Sequence, residues 1–113
     1  MTNLVNEFNS YRDRMNEKIL AADNKSIKRF YSLDTLTYRD SALPLKSKEM
    51  LGLAASMVLR CDDCIRYHIM KCHANGVNRD EFFDIFSVAL VVGGSIVIPH
   101  LRRAVEFLDE LIR

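Results

Sequence analysis

Leu4, Phe8, Tyr11, Met15 and Ile19 recur at steps of four, three, four and four, which is a single stripe along an amphipathic helix. Ala22-Asp23-Asn24 breaks that rhythm, and Ser26 is placed to cap a second helix carrying Ile27, Phe30, Tyr31 and Leu33. The stretch RDSALP reads as a turn, with Pro44 near the start of a third helix. From Leu45 to Leu59 the pattern changes. Leu51, Leu53, Ala54, Ala55, Met57, Val58 and Leu59 cover almost every direction of a helical wheel, with Glu49 the only acid among them. Such a segment predicts a helix buried all round. A further helix begins in RCDDC and runs to Ala74, and Gly76 fits its stop. Asn78 followed by Glu81 is the signature of a capping box, and Phe82, Ile85, Phe86, Ala89 and Leu90 form the stripe behind it. Gly93 and Gly94 interrupt. A last helix starts near Pro99 with Leu101, Val105, Leu108 and Ile112 on one side and Arg102 and Arg103 facing elsewhere. VALVVGG is the one strand-like run, and helix signals flank it. The pattern predicts an all-α chain of about five or six helices, organised as a single domain over residues 1–113.

Composition narrows the classes. A chain of 113 residues buries only about two thirds of its unfolded surface. Yet 49% of its residues are apolar, so part of that surface is expected to meet another subunit. Sixteen basic against fifteen acidic residues give a net charge of +1, without the basic excess of a nucleic-acid binder. No charged n-region leads into an apolar h-region, and the longest apolar run, VALVVGGSIVI, is too short to span a bilayer. The expectation is a soluble, cytoplasmic protein with no nucleic-acid or membrane partner. Three cysteines, Cys61, Cys64 and Cys72, are an odd set for a secreted disulfide scaffold. In a reducing compartment a close cysteine pair points to catalysis or metal binding.

The stretch CDDCIRYH, residues 61–68, carries the chemistry. If residues 61–72 are helical, Cys61, His68 and Cys72 fall within about 40° of one another and Cys64 about 60° to one side. His68 then sits one turn after Cys64, where i and i+4 side chains meet. An imidazole there can take up or return the thiol proton, and the thiolate is the attacking species. A helix N-terminus favours thiolate, while Asp62 and Asp63 oppose it. Glu49, on the apolar helix before, is costly to bury unless paired or protonated. If the two helices fold back on each other, carboxylate, imidazole and dithiol form a proton relay. Two plainer readings stand beside this one. The cysteines could be buried structural thiols. A zinc site would need ligands converging from a second segment, because one straight helix cannot wrap Cys61, Cys64, His68 and Cys72 around one ion.

A glutamate, eleven residues, C-x-x-C and a histidine four further on, within KEMLGLAASMVLRCDDCIRYHIMKCHANGVNRDEFFDIFSVALVVGG, resembles the AhpD-like, carboxymuconolactone decarboxylase superfamily over about residues 42–105. The resemblance implies an AhpD-like helical bundle, homo-oligomers (trimers or hexamers), and dithiol-dependent reduction of hydroperoxides or of a peroxiredoxin partner. Carried onto this chain, Glu49, Cys61, Cys64 and His68 take the catalytic positions. Cys64 is then the sulfur that is oxidised first and Cys61 its resolving partner. Decarboxylating branches of the superfamily lack the cysteine pair, which argues against lyase chemistry here. The N-terminal segment carries none of the motif, and Asp63 stands where the best-known reductase has an aromatic residue. The sequence therefore predicts a thiol-dependent peroxidase or disulfide reductase needing no bound cofactor or metal. Its partners would be a hydroperoxide and a dithiol electron donor. The competing reading from another class is a non-enzymatic helical assembly. Cys72 reads as core, His73 as surface, and His100 as structural or interfacial.

Overall fold

A computed structural model of the protein describes residues 3–113. Among these residues it contains six α-helices and no strand: α1 (Leu4–Ala21), α2 (Lys25–Thr37), α3 (Leu45–Val58), α4 (Asp62–Ala74), α5 (Arg79–Gly93) and α6 (Ile98–Ile112), with one 3₁₀ turn, Ser95–Val97, between the last two. The predicted all-α class holds, and VALVVGG is the last part of α5 with Gly94 as its C-cap. The chain forms two compact units, one ending at Arg39 and one spanning Asp40–Arg113.

The first unit is α1 and α2. Asn3 caps α1, its side chain accepting the Asn6 N–H at 2.8 Å. Asn24, not Ser26, caps α2, accepting the Ile27 N–H at 3.0 Å. Asn and Ser cap about equally well, and Asp23 already turns the backbone with φ 58°, so the helix begins at the first competent cap. Tyr31 ties α2 to α1 by donating its hydroxyl to Asn16 Oδ1 at 3.0 Å. Phe30, Leu33 and Leu36 remain exposed on α2.

The second unit is built on the α3–α4 hairpin. The Asp40 carboxylate accepts the Leu45 N–H at 2.7 Å and so serves the first turn of α3, where Pro44 at the N-cap has no side chain to offer. The end of α3 is a Schellman motif. Cys61 N–H donates to Ser56 O at 3.1 Å and Arg60 N–H to Met57 O at 3.0 Å, which satisfies carbonyls the helix would leave open. Arg60 occupies the left-handed position, φ 59°, that Gly normally fills. The same motif closes α4, with Val77 N–H on Cys72 O and Gly76 N–H on His73 O. There the left-handed residue is Gly76, φ 87°. Asn78 then opens α5 with the expected capping box: Asn78 Oδ1 accepts the Glu81 N–H, and Glu81 Oε1 accepts the Asn78 N–H, both at 2.9 Å. Gly93 is required for close approach, since a Cβ there would lie 2.6 Å from Val97 Cγ2.

Leu53 and Met57 of α3, Ile65 and Ile69 of α4, Phe82 and Phe86 of α5, and Phe107 and Leu108 of α6 are sealed from solvent. Each such side chain contributes about 1.5–3 kcal/mol relative to exposure. The expectation that α3 is buried all round is not met. Leu51 and Leu59 are 59% and 77% exposed, and Leu43, Ser47, Met50, Leu51, Ala54, Ile85 and Val88 line an apolar groove of about 360 Å³ between α3 and α5. The reason is geometric: within this unit α3 packs chiefly against α4 and α5, and neither covers the side that carries Leu51 and Leu59. On α6 the core face passes through Ala104, Phe107 and Leu108, displaced from the expected stripe, which leaves Leu101, Val105 and Ile112 less than fully buried.

A left-handed conformation costs an L-residue roughly 1–2 kcal/mol, part of which Gly returns as its own entropy on folding. Arg60→Gly is expected to raise stability by up to about 1 kcal/mol, and Arg60→Val to lower it. Urea midpoints of the two variants check this; equal midpoints would show that the turn stores no strain.

Candidate functional site

The Schellman turn places Cys61 at the N-cap of α4 in extended conformation, φ −104° and ψ 98°. Cys61 is therefore not part of the helix, and the projection that put it in line with His68 and Cys72 does not apply to it. Its Sγ accepts the Cys64 N–H at 3.3 Å, a sulfur in the role that a Ser or Asp oxygen usually plays. Cys61 and Cys64 are joined as a disulfide, their Cα atoms 5.3 Å apart. Cys64 is exposed and Cys61 half-buried.

Glu49 lies in the early part of α3 and is 2% exposed; His68 lies one turn beyond Cys64 on α4 and is 9% exposed. Their side chains meet, with His68 Nδ1 2.8 Å from Glu49 Oε1. A buried carboxylate accepts hydrogen bonds, so Nδ1 carries the ring proton and Nε2 is the nitrogen that can act as base. Tyr67 stands edge-on to the imidazole, ring centroids 5.3 Å apart. The structure thus brings together the expected Glu49 and His68, and sets them one helical turn from the expected Cys64.

Cys72 and His73 fall as expected, one in the core and one at the surface. Burial pushes the Cys72 thiol up to about 12, the negative charge of Glu49 adds to the rise, and Lys46 opposes it. Among the described residues no group of three or more His, Cys, Asp or Glu side chains could hold a metal ion, and no helix is long and apolar enough to cross a membrane.

A second cluster was not anticipated. Asp62, the first residue of α4, accepts from His100 Nδ1 at 2.8 Å on one oxygen and from Arg103 Nε at 2.9 Å on the other. Arg103, off the apolar side of α6 as expected, is held against the start of α4. The available signal was the i, i+3 spacing of His100 and Arg103, which puts both on one face of a helix, with an acid in a helix first turn as a suitable partner.

The profile of the carboxymuconolactone decarboxylase family matches residues 25–107. The chain belongs to that family. Two crystal structures of a Thermotoga maritima family member superpose on it. The first has a TM-score of 0.90 and 54% identity over 93% of this chain and 92% of that one. The second has 0.88 and 53% over 93% and 89%, and involvement of that protein in the antioxidative response has been suggested. A family protein of Legionella pneumophila, in its apo form, shares the fold at a TM-score of 0.80 and 23% identity over 96% and 94% of the two chains. An uncharacterized protein encoded in the cox locus of Paracoccus denitrificans is 24% identical over 82 residues, 73% of this chain and 74% of that one. The resemblance read from Glu49, C-x-x-C and His68 is thereby established as family membership, and the helical architecture is the family's AhpD-like fold.

A thiol held near 12 stays protonated, and thus unreactive, throughout the ordinary alkylation range. Alkylation of the reduced native protein at pH about 8 is expected to label two sulfurs per chain rapidly, with Cys72 labelled only after denaturation. Peptide mapping reads this directly, and equal labelling of all three cysteines would show that Cys72 is not sealed.

Proposed function

We propose that the protein is a thiol-dependent oxidoreductase of the alkyl hydroperoxidase type, cycling between dithiol and disulfide at Cys61 and Cys64 with Glu49 and His68 as its proton relay. The observation that carries the reading is the buried Glu49–His68 hydrogen bond, set one turn beyond an exposed cysteine of a C-x-x-C pair. A buried carboxylate that orients an imidazole beside a thiol is the arrangement nucleophilic catalysis uses to activate a sulfur. The antioxidative role suggested for the Thermotoga maritima relative supports the same chemistry.

In the proposed cycle His68 Nε2 takes the Cys64 proton and the thiolate attacks the terminal oxygen of a hydroperoxide. The O–O bond breaks, and the alkoxide leaves as alcohol after taking that proton back from His68. Cys64, oxidised by two electrons, is now a sulfenic acid. The Cys61 sulfur attacks it, the S–S bond forms, and the sulfenic oxygen leaves as water with the proton from Cys61. An external dithiol returns two electrons and two protons by exchange. A peroxiredoxin disulfide could replace the hydroperoxide as the species reduced, through a mixed disulfide at Cys64. No step calls for a bound metal or organic cofactor.

The same proposal includes self-association. The apolar groove between α3 and α5, with Val91 and Val92 exposed further along α5, leaves large apolar side chains open for a partner to cover. A second copy of the chain is the partner it fits. Native mass spectrometry is expected to give a trimer or hexamer, and a monomer at micromolar concentration would exclude this part.

One equivalent of hydroperoxide added to the reduced protein is expected to remove two thiols and yield the Cys61–Cys64 disulfide. Cys64→Ser should abolish the reaction, and Cys61→Ser should leave a trappable sulfenic acid at Cys64. His68→Asn should slow oxidation by about a hundredfold, the lower part of the range for general acid–base catalysis. Full turnover in Cys64→Ser is the result that would sink the assignment.

A further inference from the structure

The proposed cycle uses Glu49, His68 and the two cysteines, and leaves the Asp62–His100–Arg103 cluster without a role. Asp62 is the residue directly after the sulfur that caps α4 and lies inside the C-x-x-C. Its two carboxylate oxygens are both engaged by α6, one by His100 Nδ1 at 2.8 Å and one by Arg103 Nε at 2.9 Å. A carboxylate only accepts, so at 2.8 Å from Asp62 the His100 ring holds its proton on Nδ1, and Arg103 Nη2, 3.3 Å from that nitrogen, is a near neighbour and not its donor. Burial alone would raise the Asp62 carboxyl, but the hydrogen bonds and charge of His100 and Arg103 outweigh it and hold the group below the usual carboxylate range. Packing does not demand this arrangement. The Asp62 and Arg103 side chains are 37% and 45% exposed, and a helix N-terminus accommodates an acid without help. What α6 delivers is positive charge, brought from far along the chain to the one acid adjoining Cys61.

Resting on the dithiol–disulfide reading, we propose that His100 and Arg103 are positioning residues for the redox pair. By holding and compensating the Asp62 carboxylate, they set the equilibrium between dithiol and disulfide at Cys61 and Cys64. Negative charge appears on sulfur only in the reduced state, when a thiol ionises. A compensated Asp62 opposes that charge weakly; an uncompensated one opposes it more. Removing Arg103 therefore favours the disulfide. Removing the charge of Asp62 leaves Arg103 unbalanced and favours the dithiol. The two partners of one contact thus act with opposite sign. A merely structural contact, loosened from either end, would move the equilibrium the same way both times.

The test equilibrates the full-length chain with the glutathione couple at about pH 9, above the ordinary thiol pKa of about 8.5, and quantifies the trapped dithiol. Asp62→Asn is expected to shift the equilibrium constant about two- to fivefold toward dithiol, and Arg103→Gln by a similar factor toward disulfide, the scale of a charge at a helix end. At about 30 mV per tenfold this is roughly 10–20 mV in each direction. Arg103→Lys, which keeps the charge, and the double variant Asp62→Asn with Arg103→Gln should both return close to the unsubstituted protein. Shifts of the same sign, or none in either single variant, overturn the inference and leave the cysteine chemistry standing. An unsubstituted pair that never interconverts with glutathione overturns the proposed function and the inference with it.

Discussion

The hydrogen bond between Glu49 and His68 is the constraint around which the second unit is arranged. Neither side chain belongs in an apolar interior alone. An ionised carboxylate without a partner there is costly by several kcal/mol, and removing one member of a buried pair typically destabilises by about 3–5 kcal/mol. The two residues come from different helices, so α3 and α4 must be aligned for either to be tolerated. The bond is therefore both a condition on the fold and the feature that gives the imidazole a defined tautomer. Core packing alone, with Leu53, Met57, Ile65 and Ile69 sealed between the helices, would tolerate modest sliding. A 2.8 Å contact between two buried polar groups tolerates much less.

That alignment depends in turn on the short joint between the helices. The Schellman turn at Arg60 brings the chain out of α3 and delivers Cys61 directly as the N-cap of α4. Where most helices cap with oxygen, this one caps with sulfur, so the first backbone donors of α4 point toward the redox pair. A thiolate formed there would sit at the positive end of the helix dipole. Structure and proposed reactivity are joined at one residue: the residue that ends the turn also carries one of the two sulfurs that change oxidation state in the proposed cycle.

What the sequence made legible was local. Glu49, Cys61, Cys64 and His68 could be singled out because their chemistry is rare in an apolar setting and because Cys64 and His68 stand one helical turn apart. The α5 cap was legible because Asn78 and Glu81 satisfy each other within four residues. Errors arose where two local solutions competed or where the answer lay in tertiary geometry. Asn24 and Ser26 are comparable caps, and only the left-handed Asp23 decides between them. The apolar wheel of α3 showed that the helix avoids water without telling its own core from a surface it leaves open, and Leu51 and Leu59 lie on the open part. The Asp62 contacts to His100 and Arg103 span 38 and 41 residues, and no local pattern announces a pairing at that distance.

The three cysteines show how one carboxylate can sort chemically identical groups. Cys64 is open to solvent, Cys61 is half-buried on a helix N-terminus, and Cys72 is sealed two turns further along α4. Glu49 acts on both ends of this range. Through His68 it orients a base toward the reactive end of the helix, and through its own charge it adds to the burial that holds the Cys72 thiol near 12. The negative charge of Glu49 thus adds to the protection of the buried Cys72 thiol. In the proposed cycle it acts on Cys64 through the His68 imidazole. Asp62, one of the two acids inside the C-x-x-C, raises the same difficulty, because a bare carboxylate beside Cys61 would oppose a thiolate. There the answer is supplied by α6, which covers Asp62 with a guanidinium and an imidazole. In both places an acid near the cysteine pair is held by a nitrogen-bearing side chain, Glu49 by His68 and Asp62 by His100 and Arg103, and the proposed reactivity of the pair rests on those contacts as well as on the cysteines.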